Sequence, residues 1–193
     1  MTPTEARAHW DGGLPLTILP RFHPWRRWLR VCGRHADIDA TVRDLARVGS
    51  AEATAIEVPI YNAEGEMVAV RSVELAGPQV AQDPTPTPGL VMADPMGLAL
   101  LRGELAGSRR DGLGRDWSGW MTLVLGPRMV LAHGLGTALH GTSAVIGVTH
   151  PDAWTPDLAV QVPRGTSVRV IGGRRPHLAD VARDTLGAWR IAA

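Results

Sequence analysis

Lysine is missing from this chain. All twenty basic residues among its 193 are arginine, set against nineteen acids for a formal net charge of +1. So balanced a chain is no general polyanion binder, and any nucleic-acid surface must be local. Cysteine is nearly missing too. Cys32 stands alone, which excludes an intramolecular disulfide and a Cys-rich zinc site and suits a small buried hydrophobe in a reducing cytoplasm. No stretch approaches the roughly 18 apolar residues of a membrane span. The start, Met1-Thr2-Pro3-Thr4-Glu5, lacks the charged and apolar regions of an export signal. The expectation is a soluble cytoplasmic protein with no membrane contact. Phenylalanine and tyrosine occur once each, whereas tryptophan occurs seven times, so aromatic packing falls chiefly to indole rings.

What is present is an alternating unit over residues 117–193. Apolar runs at 121–125, 144–148 and 167–171 are short, and each is separated from the next by a segment long enough for a crossover helix. That is the pattern of a small parallel sheet flanked by helices. Gly126-Pro127 reads as a strand handing over to a helix with Pro in its first turn. Functional groups of such sheets sit on the loops at the carboxyl ends of the strands. Here those loops are Leu125-Gly126-Pro127, Thr149-His150-Pro151-Asp152 and Gly172-Gly173-Arg174-Arg175, and only the second carries a carboxylate. A last helix from Pro176 turns Leu178, Val181, Ala182, Thr185 and Leu186 inward.

Ahead of this unit the chain divides into an irregular Gly- and Pro-rich lead-in (1–24), a smaller α+β subdomain (25–76) and a Pro-rich linker (77–89), with the α/β domain at 90–193. A short helix sets Trp25, Trp28 and Leu29 on one face and Arg26, Arg27 and Arg30 on the other, and Gly33 ends it. Ile38, Val42 and Leu45 predict a second helix from Asp37 to Gly49. Runs at 56–61 and 67–75 around Asn62 and Gly65 predict a β-hairpin, with Pro59 placing its first strand at an edge or bulge. Asp94 and Pro95 predict a capped helix start.

The order of these pieces resembles the catalytic core of bacterial and phage DNA primases of the Toprim class. The phrase Trp28-Leu29-Arg30-Val31-Cys32-Gly33, the helix from Asp37 and the hairpin from Pro59 through Gly65 to Ala69 are similar to that family's opening. Residues 120–126, 144–148 and 168–171 look like its three strands. The resemblance implies a Glu after the first strand and an acidic pair after the third, holding Mg²⁺ against phosphate. This chain has Leu125 at the first position, or His133 if the alignment slides, and Gly173 and Arg175 at the others. A divalent metal there lacks its neutralising carboxylates. The implied protein is therefore a pseudoenzyme with no catalytic residue, no metal and no cofactor. As a nucleic-acid-binding or replication-associated accessory subunit, it takes single-stranded DNA or RNA, or a replication or phage protein, as partner. Arg26, Arg27, Arg30, Arg174 and Arg175 are the candidate phosphate contacts.

Two other classes compete. A metal-dependent nuclease or nucleotidyltransferase could use relocated acids, Asp94, Asp152 and Asp157 or Asp180. A phage-related or regulatory protein–protein module needs no nucleic acid at all. His133, His140 and His150 with Asp152 have no metal-site spacing, and Ser118 has no assigned base. The tryptophans read as packing residues, with Trp25 and Trp28 the pair that could stack on bases instead.

Overall fold

The computed structural model describes residues 1–33, 45–75, 87–105, 116–126, 130–133, 143–171, 177–186 and 191–192. Its first element is a helix, α1 (Pro3–Gly12). Thr2 and Glu5 close a capping box: the Thr2 hydroxyl accepts from the Glu5 N–H, and the Glu5 carboxylate accepts from the Thr2 N–H at 2.7 Å. The Thr2 N–H foremost, and then the Thr2 hydroxyl, hold the Glu5 carboxyl below the usual range by hydrogen bonding to its charged form. This corrects the irregular lead-in expected for residues 1–24. Gly12 and Gly13 do not mark a loop; they close a helix that buries Ala6 and Trp10.

A 3-10 turn at Leu16–Ile18 leads to α2 (Pro24–Gly33). The helix expected to run from Asp37 to Gly49 lies mostly outside the described residues, but its end is corrected. Arg47 bridges Glu57 and Val48 bridges Leu14 in extended pairing, so the helix does not reach them. The hairpin forms as expected from β1 (Ala55–Tyr61) and β2 (Met67–Glu74), antiparallel, with a register shift between Ile60 and Tyr61. Its turn is held by the Asn62 carboxamide, which accepts from the Glu64 and Glu66 N–H groups, and by Gly65 at φ 73°. Pro59 is explained by what flanks β1 on its other side. Glu57 and Tyr61 donate there to Arg47 and Val91. The N–H of residue 59 would point into the gap between those two bridges, where a missing donor costs nothing.

The remaining strands are β3 (Met92–Ala93), β4 (Trp120–Leu125), β5 (Ser143–Val148), β6 (Ser167–Ile171) and β7 (Ile191–Ala192). They form one sheet in the order β3-β5-β4-β6-β7, with β3 antiparallel to β5 and the other pairings parallel. The hairpin approaches its β3 edge through the Tyr61–Val91 bridge. Between strands run α3 (Pro95–Leu101), a helical segment at 130–133, α4 (Pro156–Val160) and α5 (His177–Leu186).

Alternation along the strands supplies two buried faces. Met121, Leu123, Leu125, Ala144, Ile146, Val148 and Val168 pack with Trp154, Leu158, Leu178, Ala182 and α3. Val124 and Val145 pack on the opposite side with Val130, Leu131, Trp25, Leu29 and the hairpin residues Ile56, Val58 and Ile60. The β4-to-β5 connection thus crosses one face and the later connections cross the other, as right-handed crossovers require when the winding direction reverses. Gly147 permits the closest approach: a Cβ there would run into the Val130 methyl, so β5 has a bare backbone where the 130–133 segment lies. Both clusters draw side chains from either side of residues 77–89.

Candidate functional site

The winding reverses between β4 and β6, and crevices of doubly wound sheets open at that place, beyond the carboxyl ends of the strands. The two strands are in parallel register with Val124 beside Ile171, so their carboxyl ends lie side by side. Leu125 is buried in the core, and Gly126 turns the chain at φ 91° while donating to the Val148 carbonyl. An apolar, inward side chain at this position binds neither metal nor proton. Gly173, Arg174 and Arg175 lie outside the described residues, so of the three positions that the Toprim resemblance singles out only Leu125 is placed.

The relocated acids are occupied by structural work. Asp94 is buried to 1% exposure, and its Oδ1 accepts from the Gly97 N–H at 2.6 Å and the Val145 N–H at 2.9 Å. One carboxylate oxygen therefore caps α3 and also takes the Val145 N–H, while the Asp94 N–H donates to the Val145 carbonyl at 3.0 Å. Asp180 pairs with Arg183 at 2.7 Å, Asp157 stands in the first turn of α4, and Asp152 lies 3.4 Å from the His150 imidazole. Among the described residues no group of three or more His, Cys, Asp or Glu side chains is gathered for a metal. His133 is half-buried, and desolvation followed by the nearby Arg169 charge holds its pKa below the usual imidazole value. His140 lies outside the described residues.

The tryptophans resolve one by one. Trp25 is fully buried and donates its indole N–H to the Thr54 carbonyl at 3.0 Å; Trp28 is half-buried edge-on against it, centroids 5.5 Å apart. Trp117 donates to the Trp120 carbonyl and Trp154 to the Thr185 hydroxyl, both at 2.9 Å. Trp25, Trp117 and Trp154 thus have packing geometries with satisfied N–H groups, and Trp25 is not accessible to a base.

The three α2 arginines separate as well. Arg26 folds inward, its Nη1 donating to the Thr17 carbonyl at 3.2 Å and the Leu19 carbonyl at 3.0 Å. Arg27 and Arg30 are exposed, as is Arg21 in the preceding turn, and no ion pair or hydrogen bond engages these three side chains among the described residues. Beside them stands Phe22, 81% exposed. Helical periodicity does not single it out because it precedes the helix; the available signal is the lone phenylalanine between Pro20 and Pro24.

No cleft among the described residues gathers several charges of one sign. The largest cleft described, about 550 Å³ between α1 and the hairpin turn, mixes Arg7 and Arg102 with Asp11 and Glu66. A second, about 350 Å³, is lined by His23, Pro24, Thr54, Glu74 and Leu75. The class defined by fold and site is thus a doubly wound α/β protein with a buried Leu125 at the end of β4 and, among the described residues, a separate surface of exposed arginines without partners. Compared with protein-family models, with curated proteins and with solved structures, the chain matches none.

Proposed function

We propose that this chain is a Toprim-like protein without the catalytic acids of that class, acting as a single-strand nucleic-acid-binding accessory subunit in replication-associated or phage-related transactions. The observation that carries the reading is the strand order. It sets the ends of β4 and β6 side by side, and the sequence positions that resemble Toprim acid sites are Leu125, Gly173 and Arg175. The use of Asp94 as a buried cap and of Asp180 in an ion pair argues against relocated metal chemistry.

Binding is assigned to Arg21, Arg27 and Arg30, which are exposed and have no partner among the described residues, so that they can meet phosphate oxygens. Arg26 is assigned a structural part, so a test that removes it confuses binding with folding. The experiment is a salt titration of single-stranded DNA binding by the wild type and by Arg27→Ala/Arg30→Ala. Loss of two phosphate contacts is expected to flatten the log–log salt slope by about 1.4. No binding by the wild type at low salt would leave the protein–protein module standing instead, and template-directed primer synthesis with Mg²⁺ or Mn²⁺ would refute the non-catalytic part.

A further inference from the structure

The turn before α2 displays an aromatic ring where the chain could have hidden it. The Pro20 carbonyl accepts from the His23 N–H at 2.8 Å, which puts Arg21 and Phe22 at the apex of a β-turn. The turn is fixed on both sides. Leu19 and Trp25 are core anchors with at most 1% exposure. The His23 imidazole accepts from the Trp25 N–H, the His23 carbonyl accepts from the Arg27 N–H, and Arg26 clamps the carbonyls of Thr17 and Leu19. Phe22 is therefore held out at 81% exposure by a braced segment.

We infer that Phe22 is a stacking platform for an unpaired base, with Arg21, Arg27 and Arg30 as the phosphate rail beside it. The inference rests on the single-strand reading above and deepens it by naming the ring on which an unpaired base stacks. From Pro24 the exposed line runs through Arg27 to Arg30 and Val31, roughly 10 Å along the helix axis. A planar ring beside unpaired guanidinium groups suits alternating bases and phosphates. A duplex presents phosphates to the same arginines but keeps its base faces stacked, so Phe22 has nothing to stack on there. A membrane surface fits poorly. The apolar face of α2 is spent on the core through Trp25 and Leu29, and its exposed side mixes Val31 with arginines instead of offering the continuous apolar stripe of an interfacial helix.

The test compares binding of an oligothymidylate strand, the same strand paired with oligoadenylate, and phosphatidylserine vesicles. Phe22→Ala is expected to weaken single-strand binding about tenfold, within the range of one lost stacking contact, and to leave duplex binding unchanged. Phe22→Tyr is expected to restore it. Because Phe22 contributes to neither core cluster, both variants should keep the wild-type circular dichroism spectrum, which checks folding directly. If the wild type binds strands and Phe22→Ala binds them equally well, the stacking inference is overturned while the nucleic-acid reading survives. If the wild type binds neither strand nor duplex, both fall. Vesicle binding lost in Phe22→Ala, with single-strand binding intact, would reassign the surface to lipid.

Discussion

At the scale of single residues, Asp94 carries more of the fold than any other acid described. Its Oδ1 is the acceptor for two backbone donors that belong to different elements, Gly97 in α3 and Val145 in β5. Alanine at 94 removes the cap and leaves the Val145 N–H facing a buried space without an acceptor. A lost N-cap and an orphaned buried donor together amount to about 3 kcal/mol. Asparagine keeps an oxygen at the same place and is expected to cost only about a third of that, the loss of charge assistance. Urea unfolding of Asp94→Ala and Asp94→Asn measures both. Equal losses in the two variants would mean that the negative charge, and not the acceptor geometry, is what the site needs, and would reopen Asp94 as a functional acid.

Among the elements, α1 shows how the N-terminal segment is tied to the rest. Its first turn is closed locally by Thr2 and Glu5, but its last turn is closed from a distance. One Arg47 Nη1 donates to the carbonyls of Trp10, Asp11 and Gly13 at 2.9 to 3.2 Å, and its guanidinium lies 5.0 Å from the Trp10 ring centroid. A cation at a helix C-terminus also opposes the helix dipole there. Arg47→Ala is expected to destabilise the protein by about 2 kcal/mol and to speed amide exchange in the last turn of α1 while the central strands stay protected. Uniform loss of protection across the sheet would show instead that Arg47 is part of the global core.

The same elements show what the sequence could and could not disclose. Asp94-Pro95, the Asn62 turn and the apolar runs of β4, β5 and β6 are legible because their cause lies within a few residues. The spacing of Ile38, Val42 and Leu45 predicts a helix through Arg47 and Val48, whereas the pairing of these two with Glu57 and Leu14 is long-range. Local periodicity carries no trace of such partners. The surface was divided in the same way. Nothing local tells Arg26, drawn back to two carbonyls, from Arg27 and Arg30, and the exposure of Phe22 follows from a turn braced by residues on both sides of it.

On the scale of the whole molecule, the composition break at 77–89 does not coincide with a break in packing. The second core cluster joins Trp25, Leu29, Ile56, Val58 and Ile60 from before it to Met92, Val124 and Val145 after it, and the Tyr61–Val91 bridge ties the hairpin to the residue preceding β3. One face of the central sheet is therefore covered largely by the N-terminal half. A fragment of residues 90–193 would expose the outward side chains of β3, β4 and β5 to water, and each uncovered aliphatic side chain forfeits about 1.5–3 kcal/mol, comparable in sum to the whole stability of a domain this size. Such a fragment is expected to bind a hydrophobic dye and lack near-ultraviolet dichroism, while the intact chain unfolds in a single urea transition seen alike by indole fluorescence and far-ultraviolet dichroism. A fragment that folds with native tertiary signals, or two separated transitions in the intact chain, would mean that the shared apolar face adds little and that the halves are independent domains.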